Sequence, residues 1–171
     1  MKEASKETWI RDALVKHEGP LTRYAYRVTR NLEIAREVVQ DVFLRLWQED
    51  PEELAPRLAE WLFTVCRNRA IDSRRRDKRM VPLTTENAEA IESREDPADE
   101  SIAKAQNVNR TLALLAGLPG REQEVLRLKF QNGLSYEEIS RVTGMSVTHV
   151  GVAIHTGMKK IRAAMKGVSH E

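Results

Sequence analysis

Apolar residues recur along this chain at helical rather than strand spacing. Between Glu33 and Glu49, the residues Ala35, Val38, Val39, Val42, Phe43, Leu46 and Trp47 fall three and four apart, which traces one face of a 3.6-residue helix. The same spacing puts Trp9, Ile10, Ala13 and Leu14 on an N-terminal helix. It also puts Leu58, Trp61, Leu62 and Val65 on a helix running through the seventies. A further helix is expected to open near Pro20-Leu21 and to stop around Arg30-Asn31. Val, Ile and Thr do not cluster in alternating runs, so strands are not expected. Residues 5–79 therefore read as a four-helix unit.

The periodicity then lapses. Residues 80–101 hold two prolines, seven acids and one Arg, as a linker should. Helical spacing resumes with Ile102, Ala105, Val108, Leu112 and Leu115 and is interrupted by Gly117-Leu118-Pro119-Gly120. A second stretch carries Val125, Leu126 and Phe130 and ends at Asn132-Gly133. Ser135 and Glu138 then have the spacing of a capping box, which satisfies orphan amides at a helix start. That helix is expected to stop at Thr143-Gly144. Ser146 can cap the next, with Val147, Val150, Ile154, Met158, Ile161 and Met165 on one face. Two helices joined by a tight Gly-containing turn form a helix-turn-helix. The expectation is all-α, with two small helical domains (1–79 and 102–171) joined by an acidic linker (80–101), the C-terminal one containing the helix-turn-helix.

Composition narrows the function classes. The chain has 171 residues, one cysteine and four histidines, so it carries neither a disulfide framework nor zinc-ligand spacing. No metal and no cofactor is expected. No apolar run approaches the ~18 residues needed to cross a bilayer, and no signal-type stretch follows the charged N-terminus. Membrane insertion is thus not expected, and a cytoplasmic location is the default. An enzyme is improbable on these residues. His149 and His155 lack a matched Asp/Ser or Cys constellation, no Gly-rich phosphate loop is present, and Cys66 reads as a small core residue. Hence no catalytic residue and no small-molecule substrate is assigned.

The formal net charge is only +2, but its distribution is uneven. Residues 1–66 sum to −2, 67–79 to +5, 80–119 to −4 and 120–171 to +3. Two basic blocks, one per helical unit, are separated by an acidic segment. Concentrated positive charge of this kind is the electrostatic footprint of phosphate binding. In the first block, Arg67 to Arg79, a helix that is apolar in its early turns becomes cationic at its end. Arginine supplies planar forks suited to phosphates and guanine edges. The competing reading is a solvated helix end whose cations complement the macrodipole. For the helix-turn-helix, in which the second helix enters the major groove, the competing reading is an ordinary helical hairpin.

The order of the pieces carries a resemblance. The run Ala35-Arg36-Glu37-Val38-Val39-Gln40-Asp41-Val42-Phe43-Leu44-Arg45-Leu46-Trp47 comes first. Next come Trp61-Leu62-Phe63-Thr64-Val65-Cys66-Arg67-Asn68-Arg69-Ala70-Ile71-Asp72 with the arginine cluster, then the acidic linker. Leu118-Pro119 with Gly133-Leu134-Ser135-Tyr136-Glu137-Glu138-Ile139 completes the set. This order resembles the extracytoplasmic-function (ECF) class of bacterial sigma factors over nearly the whole chain.

The resemblance implies an initiation factor that binds RNA polymerase core, recognises promoter DNA and helps melt it. It assigns 1–79 to a region 2-like domain and 102–171 to a region 4-like domain. In the family, the helix with the Gln-Asp-Val-Phe stretch docks on the clamp of the polymerase largest subunit. That implies a docking surface of Glu37, Gln40, Asp41, Leu44, Arg45 and Gln48. Glu37, Asp41 and Arg45 lie at i, i+4, i+8, which by itself favours a solvent-facing ion-pair ladder, and Leu44 is the residue of that polar face that hints at a partner.

For the minus-ten element the resemblance implies Arg67, Asn68, Arg74, Arg75, Arg76 and Arg79. For the minus-thirty-five element it implies Ser146, Thr148, His149, His155 and Thr156, with Lys159, Lys160 and Arg162 holding the backbone. The chain departs from the family in two places. The loop Glu49-Asp50-Pro51-Glu52-Glu53-Leu54-Ala55-Pro56 carries four acids and two prolines where an aromatic, Gly and polar residues are usual. After Val150 it has Gly151-Val152-Ala153-Ile154-His155-Thr156-Gly157 in place of the usual basic residues, so bidentate guanine contacts are lacking there. Many members of the class are held inactive by an anti-sigma factor, which enters as a candidate partner. The alternative function is a stand-alone helix-turn-helix regulator, which accounts for residues 120–165 but not for the Gln40-Asp41-Val42-Phe43 face.

Overall fold

The computed structural model describes residues 2–80 and 102–168, and every regular element among them is a helix. The linker expected over 80–101 lies, beyond Met80, outside the described residues. The described chain divides into two compact units.

The first unit contains α1 (Lys2–Thr29), α2 (Leu32–Leu46), α3 (Pro51–Leu54), a 3-10 turn (Ala55–Arg57) and α4 (Leu58–Met80). Helices α1, α2 and α4 pack on one another. The two N-terminal helices expected from the sequence are one continuous α1, which runs through Pro20. An interior proline removes a backbone hydrogen bond and costs about 3 kcal/mol. Here the helix is held on both sides of it, because Ile10, Ala13 and His17 before the proline and Leu21, Tyr24 and Ala25 after it are all buried. Tertiary packing outweighs the local break.

At the end of α1 the backbone enters the left-handed region at Arg30 (φ 57). Asn31 then caps α2, its Oδ1 accepting from the Ile34 amide at 3.2 Å. The α2 stripe is buried as its spacing requires, from Ala35 to Leu46, but Trp47 is 45% exposed. It follows the last helical residue, and the period no longer governs where its ring goes. Leu14, also expected in the core, is 38% exposed. In α4 the buried residues are Leu62, Phe63, Cys66 and Ala70, and Trp61 and Val65 are only half-buried. Tyr24 meets Phe63 edge-on, with ring centroids 5.4 Å apart. Burial pushes the Cys66 thiol up to about 12, and its Sγ–H donates to the Leu21 carbonyl at 3.7 Å. It is a core residue with no thiolate at neutral pH.

His17 is also buried, and its pKa is lowered, chiefly by burial and further by the neighbouring Lys16 charge. The unfolded chain therefore binds a proton at this residue before the folded one does. The stability of the neutral form is fully present above about pH 6.5 and is lost as pH falls below that value. All three tryptophans, Trp9, Trp47 and Trp61, lie in this unit. Urea unfolding followed by Trp fluorescence should give a midpoint that drops between pH 7 and about pH 5.5. The drop should be smaller in a His17→Gln chain, and an unchanged slope in that variant would assign the acid sensitivity elsewhere.

The second unit contains α5 (Ile102–Ala116), α6 (Gly120–Phe130), α7 (Tyr136–Thr143) and α8 (Val147–Val168). The capping box is formed: Ser135 Oγ accepts from the Glu138 amide at 3.1 Å, and Glu138 Oε1 accepts from the Ser135 amide at 3.4 Å. Gly144 ends α7 in the left-handed conformation (φ 77), and its amide donates to the Ser140 carbonyl. Ser146 Oγ then accepts from the His149 amide at 3.1 Å, which starts α8.

Val125, Leu126, Leu128, Leu134, Ile139, Val142, Val150, Ile154 and Ile161 form the core of this unit. Three expected core residues lie outside it, Val108 at 55%, Phe130 at 62% and Val147 at 43% exposure. Phe130 falls to one side of the stripe set by Val125, Leu126 and Leu128. On α5, Leu115, near the end of the helix, is buried. At Gly157 α8 packs tightly on α6, since a Cβ there would stand 2.7 Å from Leu126 Cδ1 and 3.6 Å from Glu122 Cβ. Gly157→Val should overpack this region and destabilise the unit by about 1–3 kcal/mol. The loss of stability should appear in helix circular dichroism on heating and not in Trp fluorescence.

Candidate protein and nucleic-acid interfaces

The residues expected to dock on a protein partner are all exposed on or just after α2, but they do not form one surface. Gln40 and Leu44 turn toward α1. There they line a groove of about 420 Å³ with Leu14, Glu18, Val39, Phe43 and Trp47. Leu44 is 58% exposed, and together with the exposed parts of Leu14 and Trp47 it makes an apolar floor in a polar setting. Asp41 turns the other way, toward α4, where Arg69 Nη1 lies 4.0 Å from its Oδ2. Glu37 and Arg45 are also exposed, and Gln48 lies beyond the helix end. Leu14 and Trp47 are two exposed apolar groove residues that sequence reasoning missed. Both lie on apolar stripes whose spacing predicts core, and only the packing of α1 beside α2 leaves them at the surface.

The expected loop 49–56 is largely helical, from Pro51 onward. Asp50 caps α3, with its Oδ1 accepting from the Glu52 amide at 2.9 Å, and Leu54 is buried beneath it. Glu52 and Glu53 therefore occupy the first turn of a helix, where negative charge is favoured by the backbone amides. Both are exposed.

Helix α4 changes character after Ala70, its last buried residue among those with described side chains. Arg74, Arg75 and Arg76 are consecutive and exposed, so they point about 100° apart around the axis and give the rod a cationic surface on several sides. Asn68 is exposed, whereas Arg67 is half-buried and already engaged in an interaction. The side chain of Arg79 lies outside the described residues. Arg69, absent from the expected set, has its Nε buried without a hydrogen-bond partner while its Nη1 faces Asp41.

On α8 the buried side runs through Val150, Ile154, Gly157 and Ile161. Thr148, His149, His155, Lys159 and Arg162 are exposed on the other side, and Thr156 is half-buried. Two expected DNA-contacting residues already have local roles. Ser146 Oγ caps the helix, and Lys160 Nζ is paired with both carboxylate oxygens of Glu122 at 3.0 Å. The ring of Tyr136, at the start of α7, covers Gly151, where a Cβ would stand 3.6 Å from Cε2. Lys129 Nζ sits 5.3 Å from the centroid of the same ring. Among the described residues no group of three or more His, Cys, Asp or Glu is arranged to hold a metal ion, and no helix is long and apolar enough to cross a membrane.

Comparison with known proteins matches both units. Residues 14–80 match the family model for Sigma-70 region 2, and residues 109–161 match that for Sigma-70, region 4. The chain is 28% identical over 168 residues to the ECF RNA polymerase sigma factor SigL of Mycobacterium tuberculosis, covering 95% of this chain and 92% of that one. It is also 28% identical over 135 residues to the ECF RNA polymerase sigma factor RpoE of Cereibacter sphaeroides, covering 77% and 72% of the two chains. Among solved structures it is similar to CnrH in complex with the cytosolic domain of CnrY. That match has a TM-score of 0.57 and 22% identity, over 95% of this chain and 90% of CnrH, a likeness of fold.

Proposed function

Because the chain belongs to the sigma-70 family, in its ECF class, we propose that it binds RNA polymerase core and directs it to promoters, where it helps separate the strands. Its three surfaces divide the work. The α1–α2 groove, with Leu44 at its centre, receives the clamp of the largest subunit. The cationic end of α4 holds the minus-ten region through Arg74, Arg75 and Arg76, with Asn68 beside them, and α8 enters the major groove at the minus-thirty-five element. Residues 1–79 act as region 2, 102–171 as region 4 and 80–101 as the connection between them.

One observation carries this reading: a single chain pairs the α2 groove with a basic helix in the same unit. A helix-turn-helix regulator has no use for an apolar groove on α2, and its DNA contacts would come from the second unit alone. The protein itself performs no covalent chemistry in this scheme, and it works in the cytoplasm, where the polymerase is. An anti-sigma factor is part of the proposal. CnrH, which shares the fold, was solved with a protein domain bound, and a partner covering the α1–α2 groove would exclude core.

The test is transcription in vitro. Purified chain mixed with sigma-less core and genomic promoter fragments should give discrete run-off products that core alone does not. If no product forms while the chain by itself shifts duplex DNA, the regulator reading replaces this one.

A further inference from the structure

The outward face of α8 is unusual in what it lacks. With 100° per residue, the side buried through Val150, Ile154 and Ile161 is opposed by a line through Thr148, Val152, His155 and Lys159. Val152 sits almost diametrically opposite the buried side and is 57% exposed. Single exposed valines are ordinary on protein surfaces. This one lies on the outward face of the second helix of a helix-turn-helix, where a side chain reaching a base edge would stand.

Guanine is read through its O6 and N7 acceptors by the paired donors of Arg or Lys. In the first two turns of α8, from Val147 to Ile154, there is no Arg or Lys. The first cation on the outward line is Lys159, seven residues after Val152 and so about 10 Å further along the axis. Residues near the N-terminus of such a helix meet base edges, and later ones meet the backbone. Lys159 and Arg162, both exposed on the same side, therefore supply phosphate contacts beyond an apolar centre. Gly151, recessed under the Tyr136 ring, adds no side chain that would hold Val152 away from the groove floor. The one feature of the major groove that an isopropyl group matches is the C5-methyl of thymine, and the methyl of Thr148, one turn earlier on the same line, matches it too.

We infer that Val152, supported by Thr148, reads thymine methyl groups, so that the minus-thirty-five element of this factor is specified by A·T pairs where guanine contacts are lacking. The inference rests on the proposal that α8 docks in promoter DNA.

The experiment uses holoenzyme assembled from the full chain and core polymerase. Promoter duplexes are selected from a pool randomised upstream of the start site. Each thymine of the enriched upstream element is then replaced by deoxyuridine, which keeps the base pair and removes only the methyl. Removing one buried methyl group should weaken binding about fourfold at the position under Val152. A Val152→Ala holoenzyme should bind thymine and uracil duplexes alike. Val152→Arg should move the enriched sequence toward guanine at that position. An enriched element with guanine there for the wild type, the absence of any methyl-sensitive thymine, or persistent discrimination by Val152→Ala would each overturn the inference and leave the sigma reading standing. Failure of the holoenzyme to enrich any upstream element would overturn both.

Discussion

A Leu44→Glu chain should fold as the wild type does and lose at least about thirtyfold in affinity for core RNA polymerase. Leu44 is 58% exposed, so the change removes no core packing, and the three tryptophans of its unit should report an unchanged unfolding midpoint. In the complex, however, the side chain would be enclosed with Leu14 and Trp47 in the α1–α2 groove. Covering a leucine contributes about 1.5–3 kcal/mol, and a carboxylate in its place must shed water without gaining a partner. Together the two effects account for a thirtyfold loss, about 2 kcal/mol. Leu44→Met, which keeps the volume and the apolar character, should bind within a few-fold of wild type. Asp41→Lys makes a useful contrast because Asp41 faces Arg69 on α4 and not the groove. Titration of labelled core would rank the three. Wild-type affinity in Leu44→Glu would remove the groove from the docking surface.

The second large effect is expected from the triple change Arg74→Ala, Arg75→Ala and Arg76→Ala. Every arginine–phosphate pair removed in this way should reduce the slope of log K against log salt by about 0.9. Removing three such pairs makes promoter binding by the holoenzyme weaker by several hundredfold, on the order of 10²–10³, near 0.1 M salt. Stability should hardly change, since all three side chains are exposed beyond Ala70, and core binding should be unaffected because the groove is on α1 and α2. A salt slope equal to that of the wild type would mean that the arginines serve only as a solvated helix end.

Much of the fold is legible from spacing alone. The α2 stripe, the capping box at Ser135 and Glu138, the turn at Gly144 and the cap at Ser146 all depend on residues within a few positions of one another, and local chemistry is sufficient to find them. Sequence and structure part where distant packing decides. Pro20 looks like a helix start because a proline is a local breaker, and it stands mid-helix because residues on both sides are buried against α2 and α4. Leu14 and Trp47 look like core because they are apolar and on period, and the neighbouring helix leaves them at the surface of a groove. Lys160 looks available to DNA because lysines usually are, yet Glu122, 38 residues earlier, is within 3.0 Å.

The expected docking set shows the same division. A helical wheel places Glu37, Gln40, Asp41, Leu44 and Arg45 on the polar side of α2, and it cannot say that this side is shared between two neighbours. The fold turns Gln40 and Leu44 toward α1 and Asp41 toward α4. The helical class, the order of the two units and the positions of the basic blocks are all legible locally, because periodicity, caps and charge are properties of contiguous residues. Which apolar side chains became a surface and which cations were already paired were settled by packing across the fold. Those outcomes depend on which helices lie side by side, and contiguous residues do not encode that.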